Sequence, residues 1–342
     1  MKASARALVF HALPALPNLP ALAALVLNLL LQAPPAVAAT IAVKPGSSLA
    51  AALARADDGD TVEVSPGTYR GEVGVISQQR LTLRGLGARP VFLADGRSAE
   101  GKAILVVRST AESSDIRIEN LEFRGARVAD RNGAGIRFER GRLQVLRCAF
   151  VDNENGILTA NFADAELAIS GSDFSAAPAA TPLPHLLYAG NIRKLTVTGS
   201  RFSGGRDGHL LKSRAQISDI RHSRFVDGPG GQAAYELEFP NGGRVTVVGN
   251  VIGQSAGTSN PTVVSFGAEG YDGRPLALVF TDNTVINQAP RPATFLRVRE
   301  AGKPFEQKLL NNRFFGPGDT GAATAELGNT TAPLSAWIPQ AR

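Results

Sequence analysis

The stretch Leu195-Thr-Val-Thr-Gly-Ser-Arg-Phe202 is one of four copies of a single design. Ile116-Arg-Ile-Glu-Asn-Leu-Glu-Phe123, Leu143-Gln-Val-Leu-Arg-Cys-Ala-Phe150 and Leu167-Ala-Ile-Ser-Gly-Ser-Asp-Phe174 precede it. Each reads apolar-x-apolar-x, then a small or polar pair, one further residue, and an apolar anchor. Looser copies follow with anchors at Phe225, Ile252, Val285 and Phe314; the anchors are 27, 24, 28, 23, 27, 33 and 29 residues apart. Alternation at period two makes a strand with one buried face. A unit this short cannot bury that face alone, so it must stack on the next copy. Stacking turns the anchors into an internal column. Two residues before them runs a second column, Cys148, Ser172, Ser200, Ser223, Asn250, Asn283 and Asn312. Small amides and hydroxyls at a repeated bend can hydrogen-bond the coils above and below. Cys148 in that column reads as a small buried side chain, not a reactive thiol.

The rest of the chain fits a solenoid. Thirty-six glycines, sixteen phenylalanines and one methionine point to β structure with many turns. One cysteine excludes an internal disulfide, so the core and the backbone ladders must supply stability. Less regular units near Leu81-Thr-Leu-Arg84 and Ile104-Leu-Val-Val107 bring the count to about ten coils, a rod of roughly 50 Å at ~4.8 Å per coil. Pro45-Gly-Ser-Ser48 leads into a short apolar helix over 49–56 with a serine cap, placed to plug the open end. Beyond Phe315 the repeat stops, and 317–342 reads as an Ala/Thr/Pro-rich tail.

A capping helix, then Gly59-Asp-Thr-Val-Glu-Val-Ser-Pro-Gly-Thr-Tyr69, then repeats of this length resembles the pectin-lyase-like superfamily. The resemblance covers roughly residues 40–316. It implies an all-β, single-stranded right-handed parallel β-helix as one domain. Its motifs do not select an activity, because that superfamily includes lyases, hydrolases, epimerases, phage tailspikes and adhesins. There is no Asp-Pro-His-Asp as in alginate epimerases, and no aspartate pair as in polygalacturonases.

Residues 1–39 are laid out as a secretory signal peptide. Lys2 and Arg6 give a positive start, 21–31 is apolar except for Asn28, and Ala36-Val-Ala-Ala39 offers small residues for cleavage after Ala38 or Ala39. The run is too short to span a bilayer and Pro34-Pro35 follows it, so the expectation is a secreted or periplasmic protein without a membrane anchor. Beyond Ala39 stand 34 basic and 30 acidic residues, +4, a balance that suits a polyanionic partner. The basic residues are scattered without interleaved aromatics, which argues against nucleic acid. Nothing in the pattern calls for a second subunit, and a monomer is expected.

The chemistry concentrates on a second strand of each coil. His185-Leu-Leu-Tyr188, His209-Leu-Leu-Lys212-Ser-Arg214 and Tyr235-Glu-Leu-Glu238 align, with Tyr188, Lys212 and Glu238 24 and 26 residues apart. With Leu187, Leu211 and Leu237 inward, period two sends Tyr188, Lys212, Arg214, Glu236 and Glu238 outward onto one wall. His185, His209 and Tyr235 form another column. Equivalent strands, such as Gly156-Ile-Leu-Thr159 and Thr262-Val-Val-Ser265, carry ordinary residues. The bland reading is a surface ion pair worth roughly 0–1 kcal/mol and a structural histidine ladder.

The functional reading is β-elimination in an acidic, uronate-containing polysaccharide. Lys212 is the base, its charged form disfavoured by a neighbouring arginine. Arg214 clamps the carboxylate, and Tyr188 or His209 protonates the leaving oxygen. His185, Tyr235, Glu236 and Glu238 serve substrate binding; the glutamates either orient Lys212 or hold Ca2+ together with an outside carboxylate. Two glutamates make a thin calcium site, and no cofactor is required. Two other readings stay open: a hydrolase using Glu236 and Glu238 as paired carboxylates, and a wall that binds a glycan or serves as a surface scaffold without cutting. Asp152-Asn-Glu-Asn-Gly156 reads as a structural turn, Asn329-Thr-Thr331 as a formal glycosylation acceptor, and 267–275 as a loop rimming the groove.

Overall fold

The computed structural model describes residues 38–109, 113–179, 182–321 and 325–338. The signal-peptide reading falls on residues 1–37, outside the described residues. Among the described residues, 12, 11 and 10 strands form three sheets, and every pairing between successive strands of a sheet is parallel. Each sheet takes every third strand of the chain, with few exceptions at the ends. That is a parallel β-helix, and no helix among the described residues is long and apolar enough to cross a membrane.

The anchors stack as the repeat requires. Phe123, Phe150, Phe174, Phe202, Phe225, Ile252, Val285 and Phe314 are direct register partners in series. The column also runs backward through Phe92 to Tyr69, with ring centroids 4.4 to 5.9 Å apart along its aromatic part. Burial of these faces is what folding gains, since a lone coil would leave every anchor in water.

The polar column works as a ladder. The Cys148 N–H donates to Ser172 Oγ, Ser172 N–H to Ser200 Oγ, and Ser200 N–H to Ser223 Oγ. Asn250, Asn283, Asn312 and Asn329 continue it, each carbonyl accepting from the backbone N–H one coil earlier. Each asparagine also donates to a backbone carbonyl, so buried turn groups that would otherwise be orphaned are satisfied. The residue just before each rung has positive φ: Gly171 at +58°, Gly199 at +57°, Asp282 at +57° and Asn311 at +54°. Gly, Asn and Asp tolerate that region and fill six of the eight positions, the exceptions being Arg147 at +51° and His222 at +47°. Cys148 is fully buried and its thiol is pushed up to about 12 by burial, as befits an inert rung. Asn329 serves as the last rung, so its amide is engaged in the fold.

Helix α1 (Leu49–Arg55) starts at Ser48, whose side chain accepts from the Ala51 N–H. Leu49 and Leu53 are buried against Gly74, where a Cβ would meet Leu53 at 2.6 Å. The helix therefore covers the start of the core, as expected. At the other end the ladders run past the last anchor. Strands Gly318–Asp319, Ala325–Leu327 and Thr330–Ala332 extend all three sheets, with Phe314 opposite Thr331. Sequence missed them because they carry no apolar anchor; backbone pairing alone recruits them. In the turn at 152–156, Asn153 donates to Phe123 O and accepts from Ala126 N, while Glu154 accepts from Val128 N and Gly133 N. It is structural.

Candidate functional site

The 10-stranded sheet carries the charged wall. Its strands His185–Ala189, His209–Ser213 and Tyr235–Phe239 lie side by side. Tyr188 is opposite Lys212 and Lys212 opposite Glu238, and the column continues to Ser265 and Arg297. Leu187, Leu211 and Leu237 are buried inward. A row of four rings runs beside this column. His185 lies edge-on to Tyr188 at 5.1 Å and packs on His209 at 4.7 Å, and His209 lies edge-on to Tyr235 at 5.0 Å.

Glu236 does not join the wall. It is fully buried, and it occupies the coil position held by Leu210 on one side and Val263 on the other. Residues at this position face the phenylalanine column: a Cβ on Gly156, three strands earlier in the sheet, would meet the Phe174 ring at 2.7 Å. Each wall strand begins on a bend, so two successive residues turn inward before alternation sets in. Strict period two fails there. Neither carboxyl oxygen of Glu236 has a hydrogen-bond partner. Burial pushes this carboxyl well above the usual range, and nearby Asp227 adds to the push. Glu236 and Glu238 are therefore not a surface pair, which removes the hydrolase reading. Glu236 cannot orient Lys212 or ligate an ion at the wall either. Among the described residues no three His, Cys, Asp or Glu side chains are grouped to hold a metal.

Arg214 is the hub of what remains. Its Nε donates to Tyr188 Oη at 2.8 Å, its Nη1 to Asn241 Oδ1 at 2.6 Å, and its Nη2 to both oxygens of Glu269 at 2.8 and 2.7 Å. Lys212 Nζ reaches Glu269 at 3.0 Å and lies 3.1 Å from Glu238 Oε2. Glu238 Oε2 is also 3.1 Å from His209 Nδ1; that approach is close without hydrogen-bond alignment. Lys212 is thus held between two carboxylates rather than facing Arg214 alone.

Electrostatics sort the groups by proton affinity. Burial, aided by the Lys212 and Arg214 charges, lowers His185 to about 3. Burial, His185, Lys212 and Arg214 together lower His209 to about 2. Both rings are neutral at any ordinary pH, so His209 is no store of protons for a leaving group. Burial raises the Glu238 carboxyl against the opposing pull of Lys212. Burial pushes Glu269 the same way, but its bonds from Arg214 and Lys212 prevail and hold it below the usual range.

Glu269 is the carboxylate on this wall whose contacts sequence reading did not find. It sits in the loop after strand Thr262–Phe266, anchored by Tyr271 Oη donating to Arg299 O and by Arg274 donating to Arg214 O. The loop itself was legible as a groove rim. Its carboxylate's partners lie 57 and 55 residues away, and no local pattern signals such a contact.

The sequence matches no protein-family model and no curated protein. Among solved structures, the fold resembles a PL6 family alginate lyase, AlyGC, with TM-score 0.53 and 15% identity over 88% of this chain and 41% of that one. A Geobacillus virus E2 protein, ORF18, aligns with TM-score 0.50 and 12% identity over 94% of this chain and 65% of that one. The chain therefore spans less than two thirds of the length of either. The A-module of an Azotobacter vinelandii mannuronan C-5 epimerase aligns more loosely, with TM-score 0.37 and 15% identity over 80% of this chain and 91% of the module. At these identities the likeness carries the fold.

Proposed function

We propose that this protein is an exported member of the pectin-lyase-like superfamily whose wall binds an acidic polysaccharide and cleaves it by β-elimination. Residues 1–39 would be the removed leader and 40–316 the working domain. One observation carries the reading: Arg214 already grips both oxygens of a carboxylate through Nη2, and Lys212 shares that carboxylate. Guanidinium forks match carboxylates in charge and shape. A uronate carboxylate presented by a polymer would take the place of Glu269.

The geometry supports the following steps. Arg214 neutralises the substrate carboxylate, which makes the proton on the adjoining carbon easier to remove. Displacement of Glu269 also relieves Lys212 of one of its two carboxylate partners. Glu238 lies 3.1 Å from Nζ and keeps Lys212 in place on the wall, where it serves as the base. The carbanion expels the glycosidic oxygen two bonds away and a carbon–carbon double bond forms. Tyr188 Oη accepts from Arg214 Nε, so its own proton is directed elsewhere and is available to the leaving oxygen. His185, neutral and half-buried, can meet the sugar, while His209, neutral and buried between His185 and Tyr235, supports the wall instead of serving as an acid.

The test is a panel of pectate, alginate, glucuronan and glycosaminoglycan polymers, followed by the ultraviolet absorbance of unsaturated ends. Absorbance on at least one polyuronate is expected. New reducing ends without absorbance would mean hydrolysis, and a polymer retarded but intact would mean a binder; either sinks the lyase. Glu269→Gln is expected to lower KM about fivefold with kcat little changed, because an internal competitor worth ~1 kcal/mol has been removed. An unchanged or higher KM would show that Glu269 does not compete with substrate.

A further inference from the structure

The column of Lys212 does not end at Glu238. Ser265 and then Arg297 follow in register, three coil steps from Lys212, or about 14 Å at ~4.8 Å per coil. A cavity of about 540 Å³ opens at this point, lined by Tyr235, Ser265, Ala268, Arg297, Arg299 and Glu300 among others. Arg297 is exposed in strand Ala293–Val298. Among the described residues it donates to no acceptor and pairs with no carboxylate, Glu300 included. Many other arginines on the outer faces of this helix, such as Arg84, Arg124, Arg201 and Arg221, are paired with an acid. An unpaired guanidinium beside a phenol and a hydroxyl, in a cavity on the working wall, is a polar site without an internal ligand.

We propose that Arg297, with Tyr235 and Ser265, forms a second carboxylate-binding subsite that holds a uronate about three sugars along the chain from the one at Arg214. This rests on the reading of the wall as a polyuronate site, and it adds the direction of the polymer, along the helix axis. The rise of one coil is close to the length of one pyranose unit, so a polymer with a charge on each sugar can keep step with charges in one column. Glu238 and Ser265, between the two cations, offer no second positive charge. Arg297 is therefore the next grip a charged chain can meet. Tyr235 ends the ring row that starts at Tyr188, so ring faces flank the path from one cation toward the other.

Affinities for oligouronates from dimer to octamer, measured with wild type, Arg297→Gln and Arg214→Gln, decide the matter. Wild type is expected to gain about tenfold once the oligomer is long enough to reach both sites, the worth of one charge-assisted hydrogen bond. Arg297→Gln should bind short oligomers as wild type does and lack the gain with length. Arg214→Gln should lose affinity at every length. If Arg297→Gln keeps the full gain while Arg214→Gln fails throughout, the second subsite is wrong and the wall reading survives. If wild type binds no oligouronate of any length, both fall. Arg297→Lys, which keeps charge and loses the fork, should restore part of the gain and guards against a folding defect.

Discussion

Lys212→Ala is expected to lower kcat on the responsive polyuronate by about 10³, within the 10²–10⁴ that a positioned proton-transfer group contributes. KM should change little, since Arg214 remains to grip the carboxylate. Arg214→Gln should behave differently, raising KM and lowering kcat together, because its fork acts on the carboxylate before and during proton removal. The contrast separates a base from a clamp. It also separates both from the bland view of the cluster, in which Lys212, Glu238 and Glu269 are only ion pairs and neither variant moves kcat by more than a few-fold. Folding is not the risk: Lys212 and Arg214 are partly exposed, and their strand is fixed by inward Leu210 and Leu211. Wild-type kcat surviving in Lys212→Ala would sink the assignment of the base.

Glu236→Leu is expected to stabilise the fold by about 3 kcal/mol at neutral pH, the order of cost of an unpaired buried polar group that must also lose its charge. Its flanks at the same coil position are Leu210 and Val263, so leucine continues an apolar column. The effect should depend on pH in a definite sense. Because the folded state raises this carboxyl, the native protein holds the proton that the unfolded chain releases above about pH 4.3. Wild-type stability therefore falls as pH climbs from that value toward the raised one, and the loss stays in place above it. The advantage of Glu236→Leu should be smaller at pH 4 and grow toward pH 7. Asp227, buried and likewise raised, gives both proteins a shallower slope of the same sign. Denaturant midpoints at the two pH values measure it, and a variant less stable than wild type at pH 7 would mean that Glu236 has a partner.

Much of the site was legible because period and repeat length are both written in the chain. Tyr188, Lys212 and Glu238 fall into one column since each coil returns the backbone to the same face, and a count of residues is enough to see it. Glu236 defeated the same count. Its strand starts at a corner where two neighbours both turn inward, and a corner's curvature depends on which coils lie above and below. Glu269 escaped for a different reason: its loop belongs to a later coil and folds back across two earlier ones, so its partners are neighbours only in space. The depressed histidines were readable as residues, yet their neutrality comes from burial between Tyr188, Tyr235 and the cations.

The chain on its own determined a parallel β-helix, its internal phenylalanine column, its polar ladder and the wall on which charge gathers. Those follow from periodicity, since repeated units that cannot bury themselves must stack in register. Tertiary structure alone decided which carboxyl turns into the core, which one Arg214 holds, and that Arg297 stands at the cavity without an acid beside it. These depend on bends and returning loops that bring together groups tens of residues apart, where local sequence exerts no control.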